Sequence, residues 1–162
     1  MKTVVVYFSL EGHTHYVAEE LANYLGSETL RLETVKPYPE GKFAKMFLGG
    51  MSALLKQSPK LRDYTFNEEQ YDCIIIGTPV WASTYVPAIR TFIKAHNLKG
   101  KKLAYYACSG GGNASKCLAH LMSEMGKPIA ELSLIDPNEN MPKEQQTSLE
   151  AFCKQIKEHI CD

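Results

Sequence analysis

Val4-Val5-Val6-Tyr7-Phe8-Ser9-Leu10-Glu11-Gly12-His13-Thr14 is the stretch that decides how this chain is read. Its first five residues are β-branched or aromatic with no polar break, the pattern of a strand buried on both faces. Downstream, Val17, Leu21 and Leu25 recur at helical spacing beside Ala18 and Ala22, and Gly26 is placed to end that helix as a left-handed cap. Ser9 to Thr14 is therefore a strand-to-helix turn. Two more turns repeat the arrangement. Thr78-Pro79-Val80-Trp81-Ala82-Ser83 follows an apolar run at 71–76, and Ser109-Gly110-Gly111-Gly112-Asn113 follows one at 103–108.

Each later turn also leads into a helical stripe. Val86, Ile89 and Ile93 form one, with Pro87 in its first turn, where a missing N–H costs little. Cys117, Leu118, Leu121, Met122 and Met125 form the next, closed by Gly126. Residues 28–33 alternate polar with Leu30 and Leu32, as a sheet-edge strand does. Residues 129–135 give a fifth strand, and Leu149, Phe152, Cys153, Ile156 and Ile160 a last helix. The order βαβαβαβαβα implies a parallel sheet with helices on both faces. Its three turns share one edge and form a crevice at the carboxyl ends of the strands, where open α/β sheets take ligands.

One segment exceeds what a crossover needs. Phe43, Phe47, Met51, Leu54 and Leu55 make a helical stripe interrupted by Gly49-Gly50 and stopped by Pro59. It reads as a kinked second crossover helix; the alternatives are a flap over the ligand site or a symmetric homodimer contact through 43–55.

The 162 residues fit one domain, 1–162, able to bury roughly 70% of its unfolded surface without a disulfide or metal staple. With 18 basic and 18 acidic residues the formal charge is zero, so no nucleic-acid or membrane-surface partner is indicated. No apolar run approaches the ~20 residues of a membrane span. Five cysteines without a CxxC pair suit reduced thiols and a cytoplasmic setting, and neither they nor the five histidines show metal-ligand spacing. Cys73 and Cys153 fall on apolar faces as core residues, whereas Cys108, beside the third turn, is open to a redox role or to inert packing.

The first turn reads S-x-x-G-x-T before a helix. Main-chain N–H groups and the Ser9 and Thr14 hydroxyls there can surround a phosphate with no lysine or arginine, and Gly12 permits the backbone turn. Alone, the pattern also fits a plain N-capped helix start. It lacks the Walker lysine and is not G-x-G-x-x-G.

The three turns together resemble the flavodoxin family, in its short form. S-L-E-G-H-T resembles that family's phosphate loop, G-T-P-V-W-A-S-T-Y-V-P the loop after the third strand in a subgroup, and S-G-G-G that subgroup's loop after the fourth. The resemblance spans essentially the whole chain. It implies a flavodoxin-like three-layer sandwich on a five-stranded parallel sheet of order 2-1-3-4-5, with FMN as cofactor. By the same resemblance the loop Ser9, Leu10, Glu11, Gly12, His13 and Thr14 binds the cofactor, with Ser9, Gly12, His13 and Thr14 holding the phosphate. Thr78, Pro79, Val80, Trp81, Ala82 and Ser83 line one side of the isoalloxazine, and Ser109, Gly110, Gly111 and Gly112 approach it with backbone groups. Trp81, the only tryptophan, is the expected aromatic contact; the alternative is a buried anchor for its loop. No catalytic side chain is implied.

Two departures matter. Glu11 stands where the family pattern has a hydroxyl. At ~4 Å from a phosphate, repulsion would be about 4 kcal/mol at an effective dielectric of 20, so Glu11 is expected to turn away, with His13 and His15 as candidate compensating groups. The third loop offers no aromatic to stack, leaving one ring face for a substrate or partner. Function then divides three ways: an electron carrier serving a redox partner protein, an FMN-dependent NAD(P)H oxidoreductase reducing a quinone or other small-molecule acceptor, and a nonredox binding module. The balanced charge lacks the acidic steering field of well-known carriers, and no nicotinamide motif is visible, so carriage stands slightly ahead.

Overall fold

A computed structural model describes residues 1–38, 51, 56–111 and 114–161. Five parallel strands form its sheet: β1 (Thr3–Tyr7), β2 (Glu28–Arg31), β3 (Cys73–Trp81), β5 (Lys102–Ser109) and β6 (Ala130–Ile135), in the order β2-β1-β3-β5-β6. A two-residue strand, β4 (Thr84–Tyr85), pairs antiparallel with the end of β3. Counting the parallel strands alone, the order is the expected 2-1-3-4-5.

The continuous apolar runs are explained by burial on both faces. Val4, Val6, Ile74, Ile76 and Tyr105 point into one core, and Val5, Tyr7, Cys73, Ile75 and Tyr106 into the other. Helices α2 (Pro87–Ala95) and α3 (Ser115–Met125) cover the first face through Ile89, Phe92, Leu118 and Leu121. Helices α1 (His13–Leu25) and α4 (Lys143–Cys161) cover the second through Val17, Leu21, Phe152 and Ile156. The edge strand β6 alternates buried with exposed, as one covered face requires. Gly26 ends α1 with φ 64°, and Pro87 opens α2. Cys73 and Cys153 are core residues, 0% and 1% exposed.

Two readings are corrected. The strand expected at 71–76 runs on to Trp81, because Thr78 and Pro79 continue the parallel ladder with Ala107 and Cys108, and Val80 and Trp81 then pair with Tyr85 and Thr84. The turn shrinks to Ala82 and Ser83, whose φ angles of 48° and 61° match the tight hairpin in which both central residues are left-handed. The edge strand ends at Arg31 rather than 33; the Leu32 N–H still donates to the Tyr7 carbonyl at 2.8 Å, and its side chain enters the core. The helix, flap or dimer contact read at 43–55 lies outside the described residues, except for an exposed Met51.

Candidate functional site

Four strand ends converge on one cleft of about 390 Å³. From the first turn come Ser9, Leu10, Glu11, His13 and Thr14; from β3 come Pro79, Val80 and Trp81; from the third turn come Cys108, Ser109 and Gly110; Asp136 follows β6. Ten of the residues singled out in the sequence therefore share a wall. Cys108, weighed for a redox role, lines it too, whereas Asp136 was not singled out, although it directly follows an apolar strand and occupies a strand-end position like the others.

The first turn is organised by one hydroxyl. Ser9 Oγ accepts from the Gly12 N–H and the His15 N–H, both at 3.2 Å. It thus acts as the N-terminal cap of α1, since Gly12 at the cap position itself offers no side chain. Among the described residues the N–H groups of Leu10, Glu11, His13 and Thr14 receive no acceptor. Cap and anion cradle are therefore compatible: the serine takes two donors and four remain. Gly12 makes the turn at φ 101°, a conformation side-chain-bearing residues avoid, and it contributes backbone rather than wall.

Anchors behind the turn keep it in place. Arg31, at the end of β2, donates to the Ser9 carbonyl at 3.1 Å, and the Tyr106 hydroxyl donates to the Thr14 carbonyl at 2.9 Å. The His13 Nδ1–H donates to the Pro137 carbonyl at 3.0 Å, while Nε2 stands 3.9 Å from Asp136 Oδ1. His15 does not line the cleft; its ring stacks on Tyr7 and its Nδ1 meets the Tyr7 hydroxyl at 2.6 Å. Of these two histidines only His13 therefore lines the cleft, with Asp136 beside it.

Thr78, Ala82, Ser83 and Gly111 lie outside the wall. Thr78 is fully buried: its hydroxyl donates to the Pro79 carbonyl and accepts from the Val86 N–H, pinning the hairpin. Ala82 and Ser83 form the tip of that hairpin, and Gly111 adopts φ 140°. Gly112 is outside the described residues. Trp81 lines the cleft and is anchored edge-on against Phe8 (5.8 Å) and Tyr38 (4.9 Å).

Cys108 is 5% exposed, and burial pushes its thiol up to about 12, with the Thr14 hydroxyl opposing that rise. A neutral thiol in such a place is not a nucleophile at neutral pH. Among the described residues no cluster of three metal-ligating side chains occurs, and no helix is long and apolar enough to cross a membrane.

Comparison with solved structures agrees with this geometry. A candidate flavoprotein of Bacteroides eggerthii DSM 20697 is 26% identical, with a TM-score of 0.77 over 93% of this chain and 97% of its own. A flavoprotein of Lactobacillus acidophilus NCFM, solved in complex with FMN, is 21% identical with a TM-score of 0.70, over 83% and 93%. A flavodoxin from the domain Archaea shares 18% identity and a TM-score of 0.58 over 98% of each chain. No curated sequence matches. The family model for flavodoxin matches residues 2–136, which include all four strand ends of the cleft, and the chain belongs to the flavodoxin family.

Proposed function

We propose that the chain is an FMN-binding redox protein whose cleft holds the flavin and which acts as an electron carrier. The observation that carries this reading is the first turn: four unpartnered N–H groups at the start of a 13-residue helix, opening on a largely apolar cleft. The residues fit the group. A helix N-terminus with free N–H donors stabilises a phosphate without a basic side chain. The cleft's size lies within the range of cofactor pockets. Bound FMN supplies one- and two-electron chemistry, which the chain's side chains do not.

The chain's own part is to bind, orient and shield. Ser9 fixes the cradle, and the Arg31 and Tyr106 anchors hold its ends. Thr78 stiffens the hairpin that presents Trp81. Burial keeps Cys108 protonated against the cleft, so the wall presents no poised thiolate. Glu11 and Asp136 give the wall local negative charge that a basic partner surface can meet even at zero net charge.

One observation favours a second reading, an FMN-dependent NAD(P)H oxidoreductase. The described part of the third loop, Ser109 to Gly111, carries no aromatic group to stack on a flavin, which favours a ring face available to a small acceptor. Anaerobic mixing of the FMN-loaded protein with NADH and NADPH separates the two. A carrier keeps its flavin absorbance until a reductase or dithionite is added; direct bleaching by either nucleotide assigns the enzyme instead.

Trp81 gives a second check. FMN should quench its fluorescence, and Trp81→Ala should weaken FMN by about 1–3 kcal/mol, the scale of aromatic stacking on a base. Quenching with unchanged affinity would reduce Trp81 to its anchoring role against Phe8 and Tyr38.

A further inference from the structure

His13 is the one histidine among the described residues that line the cleft, and its two ring nitrogens have different duties. Nδ1 donates to the Pro137 carbonyl at 3.0 Å, so it carries a proton in either charge state of the ring. Nε2 is the nitrogen that can be bare or protonated, and Asp136 Oδ1 stands 3.9 Å from it. Asp136 adopts φ 42°, a backbone that aspartate tolerates better than most residues. Its N–H donates to the Ser109 carbonyl at 2.9 Å, and its own carbonyl accepts from Asn138 Nδ2 at 2.8 Å. Backbone bonds thus fix the turn that presents this carboxylate to the imidazole.

The charge around Nε2 is one-sided. Glu11 from the first turn and Asp136 from the end of β6 line the cleft, and no described lysine or arginine does. Cys108, at the end of β5, is kept neutral by burial. Arg31, the cation that reaches this turn from β2, donates to the Ser9 carbonyl and is not in the lining. Two residues along α1, His15 is turned to Tyr7 and Glu19, and Glu139 lies with Tyr16 in a separate hollow between α1 and α4. A phosphate dianion entering the cradle adds two negative charges to those of the two carboxylates, against the half-unit positive charge, or about that, of one helix start. Such a site favours uptake of a proton. Of the side-chain types in the lining, histidine is the one that ordinarily changes charge between about pH 5 and 8.

We propose that His13 supplies the positive charge of the phosphate site, and that binding FMN carries a proton from solvent onto its Nε2. The proton fills the Nε2 lone pair, the Nδ1–H bond to Pro137 is kept, and the ring does not turn over. FMN affinity then depends on pH, and the flavin-loaded form is favoured as the pH falls from about 8 towards about 6.5. The inference rests on the FMN reading.

Titration calorimetry of FMN into flavin-free protein, at about pH 8 in Tris and in HEPES at matched ionic strength, counts the protons from the difference in heat between the two buffers. At that pH the free phosphate has already lost its second proton, whose pKa is about 6. Uptake of roughly half a proton or more per FMN is expected, with affinity falling by up to about tenfold per pH unit above about pH 7. Riboflavin, which lacks the phosphate, should take up none. His13→Gln keeps an N–H for the Pro137 carbonyl but cannot hold the charge, so its uptake should fall to nearly zero and its FMN affinity should stay flat between about pH 7 and 8.5. Asp136→Asn, which suits φ 42°, should bind FMN about two- to tenfold more tightly at the same pH with smaller uptake, and it carries the test if His13→Gln does not fold. FMN binding without uptake overturns the proposal. So does uptake that riboflavin reproduces, or that persists in His13→Gln, where the phosphate itself holds the proton. Failure of FMN to bind at all overturns the FMN reading, and the proposal with it.

Discussion

Gly12→Val abolishes FMN binding and leaves the fold in place. Gly12 sits at φ 101°, where a β-branched residue is strained by about 1–3 kcal/mol. A Cβ built there meets no other atom within 4 Å, so the substitution does not disturb the core. The strain is relieved locally, by turning the peptide units of the first turn. Those peptides carry the free donors of Leu10, Glu11, His13 and Thr14 and the N–H that Ser9 accepts. Backbone conformation, not a filled space, makes glycine necessary. Circular dichroism should match the parent protein while flavin co-purification disappears. Full occupancy in the variant would move the cofactor out of this turn.

The second large effect is on folding. Gly77 in β3 faces the ring of Tyr106 in β5 so closely that a Cβ would fall among the ring atoms. Tyr106 cannot step aside, being completely buried and held through its hydroxyl to the Thr14 carbonyl. Overpacking of this kind costs about 1–3 kcal/mol or more, a drop in melting temperature of roughly 2–12 °C in a chain of this size. Gly77→Ala should therefore melt early or fail to accumulate, and any soluble fraction should bind FMN poorly, because the displaced ring is an anchor of the cradle. Tyr106→Phe keeps the ring and removes only the hydrogen bond, so it should lose about 1 kcal/mol. A Gly77→Ala protein as stable as the parent would show that the strands slide apart at no cost.

Much of the fold was legible because its signals are local. Strands buried on both faces leave no polar residue to blur the run, as in Val4-Val5-Val6-Tyr7-Phe8, and the caps at Gly26 and Gly126 mark helix ends by backbone conformation alone. The end of β3 was not legible. Thr78 and Pro79 have the composition of a turn, yet the neighbouring β5 supplies a ladder that carries them on as strand, a tertiary effect with no trace in the residues themselves.

The site followed the same rule. Residues at strand ends were found because topology places strand ends together. Thr78 has the right type in the right turn, but strand alternation turns it into the core, where it braces the hairpin. Arg31 and Tyr106 act on the first turn from 22 and 92 residues away, and nothing in the sequence links them to it.

Titration calorimetry of FMN and of riboflavin, each into flavin-free protein, tests the phosphate cradle most directly. The two ligands share the ring and differ by the phosphate that the four free N–H groups and the start of α1 are arranged to receive. Charge-assisted hydrogen bonds of this kind are each worth about 1.5–3 kcal/mol, so FMN should bind at least roughly tenfold more tightly than riboflavin. Equal affinity for the two flavins, or tighter binding of riboflavin, would contradict the account.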